Sequence, residues 1–145
     1  MKKDMNWLLL ALLGAFCFGA YNVFIKIASG YIHEITGAVI LQFVAAFAGL
    51  GILLYLKFKG NEVIEISQKG VYYSILAGLC VGGAEILSFL VFGKGVPAST
   101  GIPIIIGGAI VVGAVIGVLF LKEKITVFNI VGTILVVLGI LLISK

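Results

Sequence analysis

Runs of about twenty apolar residues, the length that crosses the hydrocarbon core of a bilayer as a helix, occupy nearly all of this chain. Five can be marked out: residues 7–28, 35–56, 71–92, 102–121 and 127–144. The breaks between them are short and hold most of the charge. In hydrocarbon each backbone N–H and C=O must be satisfied inside the protein, which leaves helices and closed barrels as spanning structures. Barrel strands alternate apolar and polar residues and are about half as long. These runs are continuously apolar, so the expected fold is all-α, a polytopic membrane bundle of five helices in one domain, residues 1–145. Short connections make each helix antiparallel to the next.

Composition agrees and excludes other classes. Hydrophobic residues make up 62% of the chain and charged residues 11%, against roughly 25% charged in soluble domains. The net charge of +4 comes from lysine, since the chain contains no arginine. Juxtamembrane lysines facing anionic lipid head groups account for that charge without nucleic acid as a partner. Cys17 and Cys80 both fall inside expected spans and form no disulfide in this reading. His33 has no second ligand at helical spacing, so no metal site is expected. No nucleotide loop, metalloprotease motif or activated nucleophile is present, which speaks against an enzyme and against a cofactor.

The first run follows Met1-Lys2-Lys3-Asp4, an arrangement shared with secretory leaders. Bulky Phe18 stands where a cut after Ala20 needs a small residue, and apolar character continues through Ile27, so the segment is read as a retained span. With the amino terminus cytoplasmic, Lys2, Lys3, Lys57, Lys59, Lys69, Lys122 and Lys124 share that side, while Lys94 and Lys145 lie opposite. The positive-inside rule favours this orientation in the cell membrane, and an odd number of spans then puts the carboxyl terminus outside.

An ionisable residue inside a span is costly and marks function by default. Glu85, in Gly82-Gly83-Ala84-Glu85-Ile86-Leu87-Ser88, lies too deep to reach the interface. It must face a cavity, pair with a cation or carry a proton, and a carboxyl that loads and releases a proton is a natural coupling group. Lys26 follows Asn22 by one turn on one helix face, and Tyr21 and Gln42 offer further hydrogen bonds. These five residues form the expected substrate or proton site. Lys26 can alternatively snorkel to the interface, and Asn22 and Gln42 can act as interhelical glue. Gly78 and Gly82, then Ala109, Gly113 and Gly117, recur every four residues and give smooth faces for helix packing. Gly132 and Gly139 share a face of the last helix. Pro97 and Pro103 bracket the start of the fourth helix, where proline in the first turn costs little. Glu123 is expected to position the start of the fifth.

Two stretches resemble the EamA family of the drug/metabolite transporter superfamily. Phe18-Gly19-Ala20-Tyr21-Asn22-Val23-Phe24-Ile25-Lys26 looks like that family's first helix, with its asparagine and lysine one turn apart. Val96-Pro97-Ala98-Ser99, then Leu121-Lys122-Glu123-Lys124-Ile125-Thr126 followed by Gly132 and Gly139, resembles the region leading into the family's fourth helix, its Leu-Gly-Glu-Arg-Leu-Thr hairpin and its glycine-bearing final helix. Lys122 stands where glycine is common, and Ile110 lies near the place of a mid-helix proline in many members. The resemblance implies a transporter built as one half of the familiar ten-span arrangement of two inverted halves, and hence a homodimer or a pairing with another half-sized chain. It also implies that Gly132 and Gly139 form the dimer contact. Inverted repeats place their substrate site near the bilayer midplane, whereas the lysine bias gives a single insertion direction. The expected function is secondary transport, by a proton-coupled dimer, of a small metabolite or an amphipathic cation. The alternatives are a non-transporting membrane subunit that stabilises a partner and, less compatible with so few polar residues, a passive channel.

Overall fold

The structure is a computed structural model that describes residues 6–60 and 66–145; Lys2 and Lys3, part of the orientation argument, lie outside the described residues. Among the described residues all regular structure is helical: α1 Trp7–Ala28, α2 Glu34–Lys59, α3 Gln68–Gly93, α4 Ala98–Leu119 and α5 Val127–Ile143. The first four are 22, 26, 26 and 22 residues long and apolar enough to cross a membrane. α5, with 17 residues, rises about 25 Å, at the short end of a spanning helix.

The helix ends follow local chemistry. Nothing in Leu56-Lys57-Phe58-Lys59 opposes a helix, so α2 runs past the apolar stretch until Gly60, whose φ of 67° is left-handed and whose N–H donates to the Lys57 carbonyl. Ser67 caps α3 by accepting from the Gly70 N–H at 3.1 Å, starting the helix three residues before its apolar run. Pro97 is the extended N-cap of α4, and Ala98-Ser99-Thr100-Gly101 already forms the first turn. Pro103 therefore lies inside the helix rather than in its first turn, and its missing N–H leaves the Ser99 carbonyl without an i+4 donor. At its other end α4 stops at Leu119, two residues short of the apolar run. Lys122, with φ 54°, turns the chain there, and the Glu123 N–H returns to the Gly117 carbonyl at 3.0 Å. Thr126 caps α5 by accepting from the Asn129 N–H at 3.2 Å, and its hydroxyl donates to Asn129 Oδ1.

Two compact units emerge, Ile25–Lys94 and Gly95–Lys145 with α1 up to Phe24. In the first, α2 and α3 pack as an antiparallel pair. Its register is set by three contacts along the helices: Glu34 against Gly93, Gly37 against Phe89, and Gln42 against Gly82. A Cβ on Gly37 would overlap the Phe89 ring, with Cζ at 2.8 Å, and one on Gly93 would meet Glu34 Cγ at 3.0 Å. Glycine at these positions lets the backbones approach, the packing mode available where burial from water supplies no drive. In the second unit α4 and α5 pair in the same antiparallel sense. Gly107 admits Ile140, whose Cδ1 lies 2.7 Å from where a Cβ would stand, and Gly117 admits the Glu123 carboxylate, Oε2 at 2.8 Å. Glu123 thus closes the end of α4 through its backbone and side chain, a different placement from the start of α5 expected for it.

Among the described residues the buried apolar side chains are Ile25, Ala38, Phe89 and Phe92. Phe24, Phe47, Leu79 and Phe128 are exposed, a surface matched to acyl chains rather than water.

Candidate functional site

One face of α3 carries the buried chemistry. Glu85, Ser88, Phe89 and Phe92 follow the i, i+3, i+4, i+7 spacing of a helical stripe, and all four are buried, Glu85 at 6% exposure. Gly82, one turn before Glu85, lies under the Gln42 carboxamide, whose Oε1 would be 3.3 Å from a Cβ there. The Ser88 hydroxyl donates to the Ala84 carbonyl at 2.8 Å, a local bond that satisfies it without a partner from another helix. The carboxyl thus lies on the buried stripe of an otherwise apolar helix, one turn after Gly82 and one turn before Phe89.

Lys26 stands at the other end of the same stripe. Its ammonium donates to the Phe92 carbonyl at 3.3 Å, in the last turn of α3, where the Lys94 N–H also closes the helix. A cation there also complements the negative end of the helix dipole. Seven residues, or about 10 Å of helical rise, separate that carbonyl from Glu85. The bond ties the end of α1 to the end of α3, while the Ser29 hydroxyl donates to the Lys26 carbonyl at 2.8 Å. Nearby in sequence, His33 Nδ1 and Glu34 Oε2 are 4.0 Å apart.

Asn22 is buried at 1% exposure. Its Nδ2 donates to the Phe18 carbonyl at 2.8 Å, leaving Oδ1 as a buried acceptor with no hydrogen-bond partner among the described residues. Tyr21 is half-buried and stacks edge-on against Phe18, ring centroids 5.5 Å apart. Of the glycines singled out for packing, Gly82 and Gly117 are approached by side chains, whereas Gly78 and Gly113 have nothing within 4 Å of an added Cβ; Ala109 is exposed. Gly132 and Gly139 also have open space before them. Sequence reasoning singled out Glu85 but passed over Ser88, Phe89 and Phe92, which stepping along the helix by three and four from Glu85 would have found. It also passed over Gly37, Gly93 and Gly107, whose neighbours depend on helix register. Among the described residues no group of three or more His, Cys, Asp or Glu side chains is placed to hold a metal ion.

A profile of the EamA-like transporter family matches residues 5–145. An uncharacterized protein of Methanocaldococcus jannaschii is 32% identical over 102 residues, which are 70% of this chain and 72% of that protein, so the two are of nearly equal length. No solved structure matches the chain. The match over nearly the full length, on a bundle of long apolar helices, identifies the chain as a member of the EamA-like transporter family, a multi-pass membrane protein of the drug/metabolite transporter superfamily.

Proposed function

We propose that the protein is a proton-coupled secondary transporter of a small metabolite or an amphipathic, cationic solute, with Glu85 as the coupling group. The observation that carries this reading is a carboxyl with 6% exposure on the buried stripe of an apolar α3. Ionisable side chains so placed mark substrate and proton pathways. Protonation and solute binding compete for the carboxyl, so proton release on one side and solute release on the other become obligatory steps of one cycle. Tyr21, Asn22, Lys26 and Gln42 are proposed to contact the solute during that cycle, with Lys26 exchanging its bond to the Phe92 carbonyl as access alternates.

The whole chain acts as one transmembrane domain in this proposal, and two copies, or this chain and another half-sized one, make the working unit. Open space before Gly132 and Gly139 on α5 supports that helix as the dimer contact, and Gly78, Ala109 and Gly113 are further places for close approach. The cell membrane is the proposed location, with the amino terminus cytoplasmic and the carboxyl terminus outside.

The test is uptake by liposomes containing the purified protein under an imposed pH gradient, across a panel of amines and amino acids. The expected result is gradient-driven uptake by wild type and background uptake by Glu85→Gln, which keeps the shape of the side chain and one acceptor oxygen but cannot exchange a proton. Equal flux in both would remove Glu85 from the mechanism. An absence of flux from the folded protein would favour the reading as a non-transporting subunit that stabilises a partner.

A further inference from the structure

We infer that the Asn22 carboxamide oxygen selects for solutes that carry hydrogen on nitrogen, so that protic amines are transported in preference to quaternary ammonium ions; the inference rests on the transport reading above. Asn22 is 1% exposed, and its two ends are distinguished by its surroundings. Nδ2 donates to the Phe18 carbonyl four residues back, at 2.8 Å. Exchanging the ends would set an oxygen against that carbonyl oxygen, so the assignment is fixed by hydrogen bonding. Oδ1 is left buried, without a hydrogen-bond partner among the described residues.

A buried acceptor gains from a donor hydrogen and stays unsatisfied beside a group that lacks one. Charge alone does not meet the need, because a quaternary ammonium ion brings a full positive charge and no hydrogen. The ring faces of Phe18 and Tyr21, edge-to-face at 5.5 Å on the same side of α1, favour a methylated cation as readily as a protonated one. A carboxylate attracts either kind of ion by its charge and also accepts from an N–H, so the share of the preference that belongs to Asn22 is the share lost when its oxygen is removed. A site built to hydrogen-bond an N–H rejects analogues lacking it far more strongly than an apolar pocket rejects an extra methyl.

A methylation series makes the test, since bulk grows by one methyl at each step while the last N–H is lost only at the final one. Benzylamine, N-methylbenzylamine, N,N-dimethylbenzylamine and benzyltrimethylammonium are compared as competitors of labelled benzylamine uptake in liposomes containing the full chain. Wild type is expected to show a gradual trend over the first three and a break of roughly tenfold or more at the quaternary ion. Asn22→Leu, of similar volume but without an acceptor, is expected to lose the break by weakening the protic competitors. A smooth trend through the whole wild-type series, or a break unchanged in Asn22→Leu, overturns the inference, and the wild-type series decides it even where the leucine variant does not fold. Gradient-driven uptake that depends on Glu85 but shows no break leaves the transport reading standing without a selecting role for Asn22. No uptake of any amine or amino acid removes both.

Discussion

Lys122 shows how a single residue records the fold it sits in. Its φ of 54° is a conformation that costs an L-residue with a Cβ about 1–2 kcal/mol and that glycine adopts without that cost. Lys122→Gly is expected to raise the thermal unfolding temperature in detergent, by up to about 1 kcal/mol of stability once glycine's larger unfolded-state entropy is subtracted. Gly37 is the opposite case. A side chain there meets the Phe89 ring, so Gly37→Val is expected to destabilise the protein by about 1–3 kcal/mol. Gly83→Ala, at a helical position with nothing within 4 Å, should be neutral or slightly stabilising. Melting the three variants side by side, with detergent held constant, separates backbone strain from helix contact. The sequence made Glu85 conspicuous because a carboxyl in an apolar run is legible without any neighbour. Gly37 was not legible, because twenty glycines look alike until the register of α2 on α3 decides which of them meets a ring.

At the scale of helices the apolar runs located all five elements, and the differences lie at the ends. α2 and α3 each extend beyond their apolar stretch because Gly60 and Ser67 supply the cap geometry, information carried by hydrogen bonding rather than by hydropathy. α4 begins four residues before Ile102 and ends two before Leu121 because Pro97 and the left-handed Lys122 set its limits. Partner faces were less legible still. Four-residue spacing marks a smooth surface on a helix but does not say what lies against it: Gly82 faces Gln42, while Gly78, one turn away, faces open space. α5 allows a direct test of its proposed role. A Cβ added at Gly132 or Gly139 meets nothing within 4 Å in one copy, so the double leucine variant is expected to fold as wild type does. Its dimer dissociation constant, measured by single-molecule photobleaching over a range of protein-to-lipid ratios, should rise by roughly tenfold, or about 1.4 kcal/mol. An unchanged constant would move the contact to another helix.

For the molecule as a whole, lysine placement and span count lead to a prediction about topology. Lys57, Lys59 and Lys69 flank the α2–α3 connection, and Lys122 and Lys124 lie in the α4–α5 turn. With these on the cytoplasmic side, a single cysteine appended after Lys145 should react with a membrane-impermeant maleimide added outside intact cells, in a background where Cys17 and Cys80 are replaced by alanine. Moving the five lysines to neutral residues while adding lysines at the carboxyl terminus should reverse the labelling, as charge bias sets insertion direction. The antiparallel pairing of α2 with α3 and of α4 with α5 has one further consequence, for biogenesis. Each pair consists of helices adjacent along the chain, and the contacts that fix its register, Gly37 with Phe89 or Gly107 with Ile140, lie entirely within it. Neither hairpin waits for a residue synthesised after its own last turn. The α2–α3 pair can therefore leave the insertion machinery already paired, its glycine faces shielded from the wrong neighbour before α4 and α5 have emerged.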